Sequence, residues 1–187
     1  MVRLTRIYTR GGDGGDTHLG DMSRVRKTSL RVAAYGDVDE LNSVIGIARQ
    51  QAMPSGSDAW LARVQNDLFD LGADLCVPEG GEGERLRVTP EQVARLERWC
   101  DEVNETLAPL TSFVLPGGSP AAAALHLGRT VCRRAERSVV ALGDTEAINA
   151  HAVEYLNRLS DLLFILARGA NAAADGDVLW VPGGPPE

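Results

Sequence analysis

The chain is predicted to be all-α, a single domain of five antiparallel helices behind a glycine-rich N-terminal loop. Three observations predict it. Five stretches of the 187 residues repeat apolar side chains at helical spacing. The linkers between them collect the chain breakers, in "MPSGS", "VPEGGEGE", "LPGGSP" and "LGD". Sustained period-two alternation is absent except over the first eight residues, so no extended sheet is expected. Short connections between long amphipathic segments favour antiparallel packing into a bundle. The domain then divides into an N-terminal segment (1–29), the bundle (30–174) and a tail (175–187).

The N-terminal segment carries "RGGDGGDTHL", residues 10–19, with four glycines and two aspartates. It cannot build a core, so it is either a floppy tail or a loop shaped to hold something. The first helical segment, 30–52, sets Val38, Leu41, Val44, Ile45 and Ala48 on one face. The second, 58–76, repeats Leu61, Val64, Leu68, Leu71 and Leu75. The third opens with "TPEQ": Thr89 is an N-cap, Pro90 takes the first helical position and Gln92 closes a capping box. Its face runs through Val93, Leu96, Trp99 or Cys100, and Val103 to Leu107. Ser119-Pro120 opens the fourth, with Leu127, Val131, Ala135, Val139 and Leu142; the fifth, 144–173, carries Leu156, Leu159, Leu163, Leu166 and Ala170. The tail's prolines forbid a helix, yet Leu179 and Trp180 are costly to leave in water, so it packs back on the body or on a neighbouring chain.

Bulk properties narrow the function. A net charge of -7 excludes general phosphate-backbone binding, so no nucleic-acid partner is expected. The longest strongly apolar run, "LLFILA" at 162–167, is too short to span a membrane, and the start lacks a signal-peptide core. Cys76, Cys100 and Cys132 are odd in number and widely spaced, which fits a reducing cytoplasm.

At about 100° per residue, the fourth helix places Arg129, Arg133, Glu136 and Arg137 in one stripe with Arg134 at its edge. A charged helix face is ordinarily just solvated. Four arginines within residues 129–137 of an acidic protein also make a local anion site, since guanidinium groups suit phosphate oxygens. On the fifth helix Asn157, Asp161, Arg168 and Asn171 form a polar strip with Phe164 in its middle, which points to a pocket or a subunit interface. Asp39, Ser43 and Gly46 lie opposite the apolar face of the first helix. Asp39 fits equally a partner for a distant arginine and a carboxylate favoured by the helix dipole. Other chemistries fall away. The glycine stretch lacks the ending of a P-loop and a complete GxGxxG, and Arg24 stands where an EF-hand counted from Asp13 needs glutamate. No ExxH occurs, and His18, His126 and His151 lack metal-ligand spacing, so all three are read as ordinary hydrogen-bonded histidines.

Taken together, "YTRGGDGGDTHLG", "RVAAYGDVDELNSVIG", "FVLPGGSPAAAALHLGRTVCRRAERSVV" and "YLNRLSDLLFILAR" resemble the PduO-type ATP:cob(I)alamin adenosyltransferases, in the same order and over nearly the whole chain. The resemblance implies a five-helix homotrimer that binds ATP and cobalamin where subunits meet. It implies transfer of the 5′-deoxyadenosyl group to cob(I)alamin, with Mg²⁺ as cofactor, a reductase as partner and delivery of adenosylcobalamin to a dependent enzyme. A non-catalytic cobalamin carrier is the alternative.

By the same matching, the loop over the triphosphate is Thr9, Arg10, Gly11, Gly12, Asp13, Gly14, Gly15, Asp16 and Thr17, with Lys27 near the phosphates. Arg10 stands where the family usually has lysine, and Gly14 where a larger residue is common. Arg129, Arg133, Arg134, Glu136, Arg137 and Asn157 fall to the ATP site. Asp39 matches the carboxylate that pairs with Arg129 across the subunit interface. Phe113 matches the aromatic residue under the corrin ring, where an apolar wall excludes the lower axial ligand, and Phe164 matches another residue lining the cobalamin site. Phe113, Arg129 and Asp39 are thereby implied as the catalytic set.

Overall fold

A computed structural model describes residues 8, 10–54, 56–80 and 85–184. Thr9, most of the alternating stretch at the N-terminus, residue 55 of the first linker, residues 81–84 of the second and 185–187 of the tail lie outside the described residues. Five helices follow a small hairpin: β1 (Asp16–His18), β2 (Arg24–Arg26), α1 (Leu30–Ala48), α2 (Ser57–Cys76), α3 (Pro90–Asn104), α4 (Pro120–Gly143) and α5 (Ala150–Ala172). α4 packs on α1 and α5, α1 carries α2 on its other side, and α5 carries α3. The spatial order is therefore α2-α1-α4-α5-α3, which leaves α4 at the centre. The apolar faces expected from spacing meet there, with Leu41, Ile45, Leu68, Leu71, Ala135, Val139, Leu156 and Leu163 all fully buried, except that Leu127 of the expected α4 face lies exposed.

Local chemistry starts each helix. The Ser29 hydroxyl accepts from the Val32 N–H, and Ser119 does the same for Ala122. The capping box of α3 is present, with the Thr89 N–H donating to Gln92 Oε1 at 2.8 Å. Helix ends differ from the spacing-based limits. α1 stops at Ala48, where Arg49 turns its guanidinium across to Asp58 and Gln65 of α2 (2.7 and 2.8 Å). α5 begins at Ala150, because the Asn149 carboxamide caps it through the His151 N–H and is itself held by Asp74 and the Val88 carbonyl.

The hairpin was not legible in the sequence. Its strands have three residues each and pair Asp16 with Arg26, Thr17 with Val25 and His18 with Arg24, so no hydrophobic alternation marks it. The buried Leu19 and a Gly20 N–H to Cys76 carbonyl bond (3.0 Å) pin its tip to the end of α2. A Cβ at residue 20 would stand 2.6 Å from Val77 Cγ2, so this close approach requires glycine. No helix is long and apolar enough to cross a membrane, among the described residues.

Candidate functional site

Two groups of side chains flank the centre of the bundle. The first is the glycine-rich loop. Turn bonds run from the Asp13 N–H to the Arg10 carbonyl (3.4 Å) and from the Gly15 N–H to the Gly12 carbonyl (3.1 Å). Arg26 braces the loop from β2, donating to the Gly14 carbonyl (3.0 Å) and to Asp16 (3.1 Å). The Lys27 N–H donates to the Gly15 carbonyl, and its ammonium lies 3.0 Å from where a Cβ on Gly12 would stand. A side chain at 12 would displace that ammonium. Gly15 has φ +87, a left-handed conformation open to glycine. Arg10 also has positive φ, at 60°, and its guanidinium lies over the Tyr8 ring at 5.8 Å. Nothing lies within 4 Å of a Cβ on Gly14, so the loop has room there for the larger residue that is common in the resembling family. The result is a turn with backbone N–H groups and Arg10, Arg24, Arg26 and Lys27 around it, a form suited to anions.

The second group is a cavity of about 480 Å³ lined by Leu110, Ser112, Phe113, Val114, Arg129 and Phe164. Three residues singled out in the sequence thus meet in one place. Phe113 is 77% exposed, an apolar surface that a lone chain leaves unpaid in water. Its loop is held by the tail, which forms a short ladder along it. The Leu115 N–H donates to the Val178 carbonyl and the Trp180 N–H to the Phe113 carbonyl, both at 2.8 Å. The Trp180 ring meets Phe113 edge-on at 5.9 Å. The tail therefore packs back on its own body, one of the two arrangements expected.

On the fifth helix Asp161, Phe164 and Arg168 of the expected polar strip line a cavity of about 460 Å³, and Arg168 and Asn171 also serve the fold. Both are buried and clamp the loop and the tail together. Arg168 donates to Asp177 (2.8 Å) and to the Ala108 carbonyl (2.7 Å). Asn171 donates to the Gly117 carbonyl (3.1 Å) and accepts from the Ser119 N–H (3.0 Å). Gly118, at φ +99, passes so close to Asn171 that a Cβ would stand 2.1 Å from its Oδ1.

The arginine stripe divides. Arg129 faces the aromatic cavity, and its Nε is buried without a hydrogen-bond partner among the described residues. Desolvation, then the neighbouring Arg133 charge, lowers its pKa. Arg134 turns the other way, bonded to Glu40 and near Asp37 of α1 (3.8 Å), and its bond to Glu40 raises its pKa. Arg137 donates to the Arg133 carbonyl. Glu136 and Asn157 do meet: the Asn157 carboxamide donates to Glu136 (2.9 Å) and accepts from Arg158 (2.6 Å). Asp39 is exposed on a separate groove of about 310 Å³ with Tyr35, Phe69 and Cys76 among its lining residues, so a single chain does not join it to Arg129.

One residue escaped the sequence reading. His18 is exposed and His151 bonds Glu154 at 2.8 Å, but His126 is 1% exposed with neither ring nitrogen paired, among the described residues. An unpaired buried polar group costs about 1–3 kcal/mol. Its ring lies 6.1 Å from that of Phe164. Burial, then the Arg129 charge, lowers its pKa and keeps the ring neutral. Its spacing of three residues before Arg129 and seven before Arg133 was the available signal.

A family model described as cobalamin adenosyltransferase matches residues 7–170. The corrinoid adenosyltransferase of Mycobacterium tuberculosis is 55% identical over 98% of this chain and 96% of its own. The cobalamin adenosyltransferase of Cupriavidus metallidurans is 54% identical over 95% of each chain. Among solved structures, a phenylalanine-to-alanine variant of the PduO-type ATP:corrinoid adenosyltransferase from Lactobacillus reuteri, complexed with cobalamin and ATP, superposes with a TM-score of 0.89. It is 38% identical, over 94% of this chain and 99% of that one.

Proposed function

We infer the chemistry from one premise: the chain belongs to the cobalamin adenosyltransferase family. It is an enzyme, an ATP:corrinoid adenosyltransferase, with ATP and cobalamin as substrates. In the reaction the electron pair of cobalt(I) forms a bond to C5′ of ATP, the C5′–O bond breaks, and triphosphate departs. No proton transfer is needed to make the nucleophile. The protein must align cobalt with C5′ and neutralise the leaving group.

The observation that carries the assignment of roles is the meeting of Phe113, Phe164 and Arg129 on one cavity. We assign Phe113 and Phe164 to the corrinoid. Phe113 serves as the apolar wall that excludes a lower axial ligand and so makes cobalt(II) easier to reduce. Arg10–Thr17, Lys27, Arg133, Glu136 and Asn157 are assigned to ATP. Arg134 and Arg137 belong to the rim of that site, because Arg134 is already engaged by Glu40. Arg129 bridges the halves.

Mg²⁺ would arrive with the nucleotide and neutralise phosphate charge. It typically takes one or two carboxylates plus phosphate oxygens, and among the described residues no cluster of three or more His, Cys, Asp or Glu offers a dedicated cage. Asp16 is engaged by Arg24 and Arg26 and Glu136 by Asn157, so Asp13 is the loop carboxylate left for it.

A homotrimer brings the exposed Asp39 of one chain to Arg129 of another, which supplies a partner for a guanidinium whose Nε is unpaired among the described residues. Light scattering that returns a monomer would remove this element. Product delivery to a dependent enzyme, and a reductase as supplier of cob(I)alamin, complete the reading. The test of the activity is incubation with ATP and chemically reduced cobalamin. Loss of the cob(I)alamin spectrum with stoichiometric triphosphate is expected; corrinoid binding without triphosphate would make the protein a carrier.

A further inference from the structure

Resting on the activity assigned above, we propose that His126 is a positioning residue for the corrinoid half of the site. Its two ring nitrogens are completed by two peripheral carboxamides of the bound corrinoid, one to each, rather than by the protein.

Three observations converge. Both nitrogens of a ring that is 1% exposed are unpaired, among the described residues, which is rare for a buried polar side chain. The ring lies against Phe164, which lines the cavity and is itself only partly buried. Arg129, three residues along the same face of α4, also lines the cavity and also keeps a buried nitrogen unpaired. Unsatisfied groups therefore accumulate behind one wall of one cavity. The same chain satisfies His151 through Glu154, so the fold is able to pair a histidine where pairing serves the structure.

The chemistry of the missing partner follows from the ring. Burial and the Arg129 cation hold His126 neutral, and the other charged group near it is Asp177 of the tail. A neutral imidazole offers one donor and one acceptor. A primary carboxamide can meet either one, its oxygen accepting from the N–H and its NH₂ donating to the bare nitrogen, and the rim of a corrin carries several. An anion would leave the acceptor nitrogen unmet, and a cation would be repelled by Arg129. Reaching the ring requires Phe164 to turn aside as the corrinoid enters, so His126 is paired only in the loaded site. ATP gains nothing from it.

The experiment compares His126→Leu, His126→Gln and His126→Asn with the wild type, measuring KM for reduced cobalamin and for ATP separately. For His126→Leu the corrinoid KM should rise roughly tenfold, the scale of one lost hydrogen-bond pair, with KM for ATP unchanged. His126→Gln restores a donor and an acceptor at similar reach and should recover most of the loss. His126→Asn, polar but too short, should behave as the leucine variant does. An unchanged corrinoid KM in His126→Leu and His126→Asn overturns the proposal, as does a parallel rise in both constants. A wild-type protein that transfers nothing would instead overturn the activity assigned above, so the two failures are distinguishable.

Discussion

The two loops that flank the bundle are held by opposite means. The glycine-rich loop is braced by its own neighbours: the backbone bonds of Asp13, Gly14 and Gly15 run to Arg10, Gly12, Arg26 and Lys27. The 110–115 loop is held from far along the chain. Ser112 bonds the Trp180 carbonyl 68 residues away, and the buried Arg168 and Asn171 of α5 fasten both the tail and the approach to α4. A locally braced loop can open and close without disturbing the core, which suits a segment that must admit and release an anion. A loop clamped by buried groups keeps its shape, which suits an aromatic wall that must hold a geometry.

Three changes test this contrast. The largest effect is expected at Phe113. Phe113→Ala should lower activity from cob(II)alamin by about 10²-fold, the scale on which misplacing a reacting centre acts, and lower it much less when cob(I)alamin is supplied chemically. Affinity for ATP should be nearly unchanged. The EPR signature of four-coordinate cobalt(II) should be lost with ATP bound; its formation at the wild-type level would make Phe113 a mere surface aromatic.

Next is the clamp. Asp177→Ala leaves the Arg168 guanidinium, 8% exposed, without its carboxylate partner. Removing one member of a buried pair costs about 3–5 kcal/mol. Thermal stability should fall and corrinoid binding should weaken, while ATP binding to the remaining folded protein stays close to normal. Loss of both affinities together would mean that the two loops are not independently held.

The smallest effect is at Gly15. Forcing a Cβ into its left-handed conformation costs about 1–2 kcal/mol, and Arg26 would be crowded at 3.0 Å. Gly15→Ala should therefore weaken ATP binding about tenfold with little change in melting temperature. A large stability loss instead would place the loop in the core's cooperative unit.

The legibility of the molecule follows the same division. Helix identities, caps and core faces were readable because periodicity, Ser119-Pro120 and the Thr89–Gln92 box act over three or four residues. The glycine loop was readable for the same reason, although its hairpin was not, since two three-residue strands with Val25 as their one apolar side chain carry no pattern. Spacing put Arg129 and Arg134 near one another on a helix. Which neighbour each one meets depends on α1 supplying Glu40 to one and nothing to the other.

By itself, the sequence determined an all-α bundle, its five apolar faces and a residue set that matches one family over nearly its whole length. Those properties are local or statistical and survive without coordinates. Only the tertiary structure decided that Arg168 and Asn171 clamp the loop to the tail, that the tail closes on Phe113, and that His126 is buried without a partner among the described residues. Each of these depends on which distant segment occupies the space beside a side chain. Burial turns the same polar group from a solvated surface feature into one that must be paired, and no spacing along the chain records that.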